Sequence, residues 1–221
     1  EQSVLKRALD ILVSVVALIV SSPIMLIEAL AIKLEDGGPV FFKQPRVTKD
    51  GAIFQVLKFR TMIVDADKNK KRLASQDDDR ITKVGRIVRK LRIDELPQFI
   101  NILKGEMSVV GPRPEQAEIT EKYVEVLPEF RYRLKVKAGL TGLAQILGKY
   151  NTTPKDKLIL DLIYIEQYSI WVDLKLMLQT VKVLFKSDST EGVIGELPID
   201  LEKHREELFG PEDPSKEENQ E

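Results

Sequence analysis

Six side chains between Lys58 and Arg113 stand out as types that handle phosphate. The run RIDELPQFINILKGEMSVVGPRP, from Arg92 to Pro114, sets Asp94 and Glu95 side by side where a helix is expected to begin, and it places Arg113 between two prolines. Arg89 lies five residues before Asp94, and the stretch KFRTM puts Lys58 and Arg60 two residues apart, on one side of an expected strand. Guanidinium forks bind phosphate oxygens bidentately, so these four bases together can form a phosphate cradle. Two carboxylates beside such a cradle suit Mg2+, which takes oxygen ligands and bridges to substrate phosphate; Asp94 and Glu95 are the candidate ligands. An ionised aspartate is also a competent nucleophile toward phosphorus. The bland alternative is a capped helix start among surface charges. With Asp94 as the N-cap, Pro97 falls at the third helical position, where its missing N–H costs no helical bond.

Composition excludes much else. There are no cysteines, and the single histidine, His204, lies in an acidic C-terminal stretch. Disulfides, thiol catalysis, Cys/His zinc sites and imidazole-based triads are therefore out. Ser187 to Glu221 holds twelve acids and three bases, a local −9 against the whole-chain −1, which leaves +8 on residues 1–186. A basic body points to an anionic partner. Nothing in it reads as base readout or a stacking platform, so nucleic acid is not expected.

The elements that must position these residues begin with ILVSVVALIVSSPIMLIEALAI, Ile11 to Ile32, which is apolar except for its serines, Pro23 and Glu28. As one straight helix it would reach roughly 33 Å, enough to cross a bilayer. Yet Ser22-Pro23 falls in mid-segment, and bases flank both ends (Lys6 and Arg7 before, Lys33 after), so charge chooses no orientation. A hairpin entering and leaving by the same face fits both features, provided the Ser21 and Ser22 hydroxyls satisfy backbone groups freed at Pro23. Physics alone leaves span and hairpin balanced. A signal peptide lacks its small-x-small cleavage site, and a soluble core helix is the weaker alternative. The chain opens on Glu1 and not Met, which suggests a processed or partial chain and leaves upstream membrane helices open.

Further on, Val40 to Phe42 and Ile53 to Phe59 read as strands about a Lys49-Asp50-Gly51 turn. Asp65 to Asp79 reads as helix, then loop. In ITKVGRIVRKLR, Ile87, Val88 and Leu91 share a helical side; Leu96, Phe99, Ile100 and Leu103 stripe the next helix, closed by Gly105. EQAEITEKYVEVLPEFRYRL holds one or two helices, KAGLTGLAQILG a loop or short strand, and Lys155 to Lys186 is helical with Trp171 near a break.

These stretches resemble the bacterial sugar transferases, the monotopic polyprenyl-phosphate glycosyl-1-phosphate transferases. The likeness rests on KRALDILVSVVALIVSSPIMLIEALAIKLEDGGPVFFKQPR, KFRTM, ITKVGRIVRKLRIDELPQFINILKGEMSVVGPRP and GLTGLAQILG, in the family's order over about residues 4–186. It implies an α+β, mostly helical fold: an N-terminal re-entrant helix-break-helix bent at Ser22-Pro23, a small β-hairpin and interfacial helices. The implied layout is a membrane hairpin over 1–36 and a catalytic domain over 37–186 on the cytoplasmic face of the bacterial inner membrane; residues 187–221, which lack a core pattern, are expected to form a mobile acidic tail. It implies further that Asp94 takes phosphosugar from a UDP-sugar, releasing UMP, and that undecaprenyl phosphate then attacks the covalent intermediate. Glu95 would assist through Mg2+ or a proton. Arg89 and Arg113 would hold phosphates, with Lys58 and Arg60 as pocket or structural residues. After FFKQPR the family often continues Val-Gly or Pro-Gly, whereas this chain reads Val47-Thr48. Sugar choice is expected to involve Thr141 to Tyr150, and the oligomeric state, a homo-oligomer included, stays open. Two other classes compete: a membrane-bound Mg2+-dependent phosphohydrolase using water as acceptor, and a non-enzymatic module binding anionic lipid.

Overall fold

The computed structural model describes residues 4–66, 78–148 and 153–184. Helix α1 (Val4–Asp36) is a single 33-residue helical element with Pro23 inside it and no intervening loop. Its burial pattern reverses that of a soluble amphipathic helix. The residues turned inward are Lys6, Asp10, Ser14, Ser21, Glu28 and Ile32, while Leu12, Ile19, Val20, Leu26, Ile27 and Leu30 are all more than half exposed. It is long and apolar enough to cross a membrane. Proline at 23 leaves the carbonyl of Ile19 without its helical donor, and Ser22 Oγ donates to that carbonyl at 2.8 Å. The other expected hydroxyl, Ser21 Oγ, turns instead to Met25 Sδ.

Polar contacts tie both ends of α1 to the rest of the chain. At the start, Lys6 Nζ pairs with Asp173 (2.6 Å), Arg7 donates to the carbonyls of Ile102 and Leu103, and Asp10 accepts from Ser108 Oγ and Val109 N. At the end, Asp36 binds Arg60, and Glu35 accepts from the backbone N–H groups of Lys83 and Val84.

The body carries an antiparallel hairpin, β1 (Phe41–Val47) with β2 (Ile53–Phe59), in register from Phe41↔Phe59 to Val47↔Ile53. The first strand runs past the expected Phe42 because Pro45 is tolerated in a two-stranded sheet, where one side of the strand needs no partner. Then follow α2 (Lys83–Lys90), a 3-10 turn (Ile93–Glu95), α3 (Gln98–Lys104), β3 (Ser108–Val110), α4 (Ala117–Val126), a 3-10 run (Pro128–Lys135), β4 (Gly139–Thr141), α5 (Leu143–Leu147), α6 (Pro154–Glu166) and α7 (Ile170–Leu184). Strands β3 and β4 pair in parallel so closely that a Cβ on Gly139 would overlap the backbone of Gly111. Phe54, Val56, Ile102, Met107, Val110, Leu143, Ile163 and Leu176 form the core between hairpin and helices, each contributing about 2 kcal/mol by burial.

Several expectations shift. Asp94 is not an N-cap: it lies inside the 3-10 turn, and Pro97 takes the cap position of α3. The turn starts early because Arg92, at φ 54, redirects the chain out of α2. Gly105 does close α3, at φ 85. The fully buried face of α3 is Gln98, Asn101 and Ile102, displaced from the apolar stripe because Asn101 bridges to β2, accepting from Leu57 N and donating to Gln55 O. On α2 only Val88 of the expected trio is buried, and Ile87 and Leu91 are exposed. The stretch KAGLTGLAQILG forms β4 and the short helix α5. Thr48, where the chain departs from the family pattern, is buried; its hydroxyl donates to Glu106 O and accepts from Ala138 N. The acidic stretch with His204, most of Asp65–Asp79 and the end of Thr141–Tyr150 lie outside the described residues.

Candidate active site around Asp94

The left-handed turn at Arg92 and the 3-10 turn after it bring Asp94 and Glu95 under the C-terminal half of β2. Glu95 Oε1 accepts from Lys58 Nζ at 3.0 Å and from Arg113 Nη2. Burial alone would raise the Glu95 carboxyl, but Arg113 and Lys58 outweigh it and hold the group well below the usual range, so it stays ionised. Burial pulls the Lys58 ammonium down, with Glu95 opposing.

Asp94 differs from its neighbour. Among the described residues it has no hydrogen-bond partner, and burial, then the charge of Glu95, push its carboxyl up; Lys58, Arg89 and Arg113 pull the other way. Arg89 donates from Nε to Thr61 Oγ1 at 2.8 Å, and its two Nη groups have no partner among the described residues. The structure thus gathers Asp94, Glu95, Lys58, Arg89 and Arg113 in one place. Arg60 is elsewhere: its guanidinium is spent on Asp36 and the carbonyls of Pro39 and Met62, and its side chain is 7% exposed. It acts as the tie that fixes the end of α1, the structural half of what was expected of it.

Glu28 is the residue the apolar run concealed. It sits on the inner face of α1, 5% exposed, with both carboxylate oxygens unbonded and close enough to Asp94 to interact electrostatically. Behind the Gly111–Glu115 loop a second charged cluster, Arg46, Glu115, Arg133, Lys157 and Asp161, also escaped the sequence reading. The only local signal was Glu115 directly after GPRP and the helical i, i+4 spacing of Lys157 and Asp161.

For a divalent cation, the described residues offer no group of three or more His, Cys, Asp or Glu. They do offer Asp94, without hydrogen bonds, and Glu95 Oε2, which takes part in neither ion pair. That share fits Mg2+, which takes one or two carboxylates from the protein and the rest from phosphate and water.

A sequence family described as bacterial sugar transferase matches residues 1–187. The UDP-N-acetylgalactosamine-undecaprenyl-phosphate N-acetylgalactosaminephosphotransferase of Aeromonas hydrophila is 42% identical over 183 residues, covering 81% of this chain and 43% of that protein. The UDP-glucose:undecaprenyl-phosphate glucose-1-phosphate transferase of Caulobacter vibrioides is 42% identical over 189 residues, covering 83% and 71%. A protein of the latter name from Escherichia coli is 43% identical over 182 residues, covering 80% and 39%. The chain therefore spans about two fifths of two of these relatives and most of the third. At equal identity, the first two names carry different sugars.

Proposed function

Because the chain belongs to the bacterial sugar transferase family, we propose that it transfers a sugar-1-phosphate from a UDP-sugar to undecaprenyl phosphate at the cytoplasmic face of the inner membrane. The observation that carries this reading is Asp94: a carboxylate with no hydrogen-bond partner among the described residues, with the Lys58, Arg89 and Arg113 cations around it. No protein group among the described residues competes with phosphorus for that carboxylate.

In the first half-reaction a carboxylate oxygen of Asp94 attacks the phosphorus that bears the sugar. The bond from that phosphorus to the bridging oxygen breaks, and UMP leaves with the oxygen and its electron pair. In the second, an oxygen of undecaprenyl phosphate attacks the same phosphorus, the bond to Asp94 breaks, and the carboxylate returns. No net proton is needed. Arg89 meets incoming phosphate with its unpartnered Nη groups, while Lys58 and Arg113, held ready on Glu95, turn toward charge that gathers on the equatorial oxygens. Asp94 and Glu95 Oε2 would hold Mg2+, which when bound neutralises phosphate charge.

The architecture of α1 supports a re-entrant membrane segment. Its apolar side faces outward and its polar side inward, both ends bind one small body, and the carbonyl orphaned by Pro23 is satisfied by Ser22. A straight α1 would separate its ends by about 50 Å, so a bend at Pro23 makes the two sets of contacts easier to hold together. With a re-entrant α1, Asp94 would stand at the height of a lipid phosphate.

The test is nucleotide release. Detergent-solubilised protein, Mg2+ and undecaprenyl phosphate are mixed with UDP-glucose, UDP-galactose or UDP-N-acetylgalactosamine. UMP that depends on the lipid supports the proposal, and the productive sugar identifies the donor. UDP would overturn it, and UMP formed equally without lipid would mean a hydrolase.

A further inference from the structure

The loop that presents Arg113 is held with unusual completeness. Each residue from Gly111 to Glu115 gives one backbone atom to a bond from β4, the 3-10 run or β1: Gly111 N to Thr141 O (2.9 Å), Pro112 O from Gly139 N (2.8 Å), Arg113 O from Arg133 Nη2 (2.9 Å), Pro114 O from Arg46 Nη1 (3.0 Å) and Glu115 O from Val47 N (2.9 Å). Two of these five bonds come from guanidinium groups, and they grip the carbonyls of Arg113 and its successor.

Arg133 is the more deeply set of the two. Its Nε and Nη2 rest on Asp161 Oδ2 at 2.9 and 2.7 Å, with side chains 3% and 1% exposed, and its guanidinium lies 4.7 Å from the Phe130 ring. A buried ion pair is a poor source of stability, since apolar residues of similar volume often serve as well. What an apolar pair could not supply is the third bond, from Arg133 Nη2 to the carbonyl of Arg113. Lys157, one turn before Asp161 on α6, bonds Glu115 at 2.8 Å and closes the loop from its other end.

We propose that the buried Arg133–Asp161 pair is a positioning device for Arg113: it fixes that residue's carbonyl and so aims its guanidinium at the donor diphosphate. Neither residue touches substrate; both act through Arg113. This rests on the reading of Arg113 as a phosphate ligand, and the test separates the two claims.

UDP affinity is measured by calorimetry on the full chain in detergent with Mg2+, for the wild type, Arg113→Gln, Asp161→Asn and the double variant. Asp161→Asn should weaken UDP about tenfold when Arg113 is present and less than about twofold in the Arg113→Gln background. Its effect on Tm should be the same in both backgrounds. Equal weakening in both, or none in either, would overturn the proposal and leave the pair a fold element only. If Arg113→Gln itself binds UDP normally, the site reading falls first. Should Asp161→Asn not fold, Arg133→Lys serves: it keeps a charge for Asp161 but loses the fork that reaches the Arg113 carbonyl, and the same background dependence is expected.

Discussion

Two charged clusters flank the Gly111–Glu115 loop, and they use the same chemistry to opposite ends. In front, Glu95 binds Lys58 and Arg113, next to an Asp94 with no hydrogen-bond partner among the described residues. Behind, Glu115 and Asp161 share Arg133, Lys157 and Arg46, and each carboxylate has a cation against it. The front has unused capacity in Asp94, Glu95 Oε2 and the Arg89 Nη groups, and the Arg113 side chain is 36% exposed. The back is closed, with Asp161 at 1%. An exposed cation and a carboxylate without a bonded partner mark the working cluster; buried carboxylates, each with a cation against it, mark the supporting one.

The comparison breaks if the two clusters respond alike to mutation. The largest expected effect is at the front: Asp94→Asn should lower UMP release by about a thousandfold or more, with Tm unchanged, because a nucleophile is removed and no bond is lost. At the back the currency changes to stability. Arg133→Met strands Asp161 buried and unpaired, and should cost about 3 kcal/mol in denaturant unfolding.

Acid should separate the clusters as well. Burial, with the Glu95 charge, holds Asp94 above its ordinary value of 3.8, so activity should fall with pH before ordinary aspartates titrate. Glu115 runs the other way. Burial would raise it, but Lys157, Arg133 and Arg46 hold its folded value below 4.5. Its contribution to stability is thus fully present above 4.5 and is lost only as the pH drops through the lower folded value. Asp161, raised by burial, binds its proton earlier when folded, and that adds to stability as pH falls. Melting temperature should therefore survive to lower pH than turnover does; coincident loss would refute the division. The smallest effect belongs to Lys157→Met, about 0.5 kcal/mol in the same unfolding assay, since a part-exposed pair is screened.

How much of this could be read in advance follows from sequence distance. Asp94 and Glu95 are adjacent and Arg113 lies in the same run, so one motif shows three of the five site residues. Lys58 was reachable through KFRTM, but the strand alternation that put Arg60 beside it said nothing of Asp36, which claims that guanidinium. The rear cluster joins residues from β1 to α6, and the i, i+4 spacing of Lys157 and Asp161 is one that solvated helix charges share. Asp94 as an N-cap was the natural reading of Asp-Glu before an apolar stripe; only the positive φ at Arg92 moves the helix start. In α1 the Ser14, Ser21 and Glu28 positions looked like interruptions of an apolar run, and they turn out to be its inner face.

That inverted helix has a practical consequence for anyone handling the protein. The exposed apolar run belongs to one helix, which the polar body ties at its two ends. Detergent should therefore settle on the molecule as a cap, not as a belt around its waist. The bound surfactant mass, read by light scattering with refractometry, should be small for a membrane enzyme. Most of the α6 and β-hairpin surface should stay open to antibodies or crystal neighbours without any change of micelle.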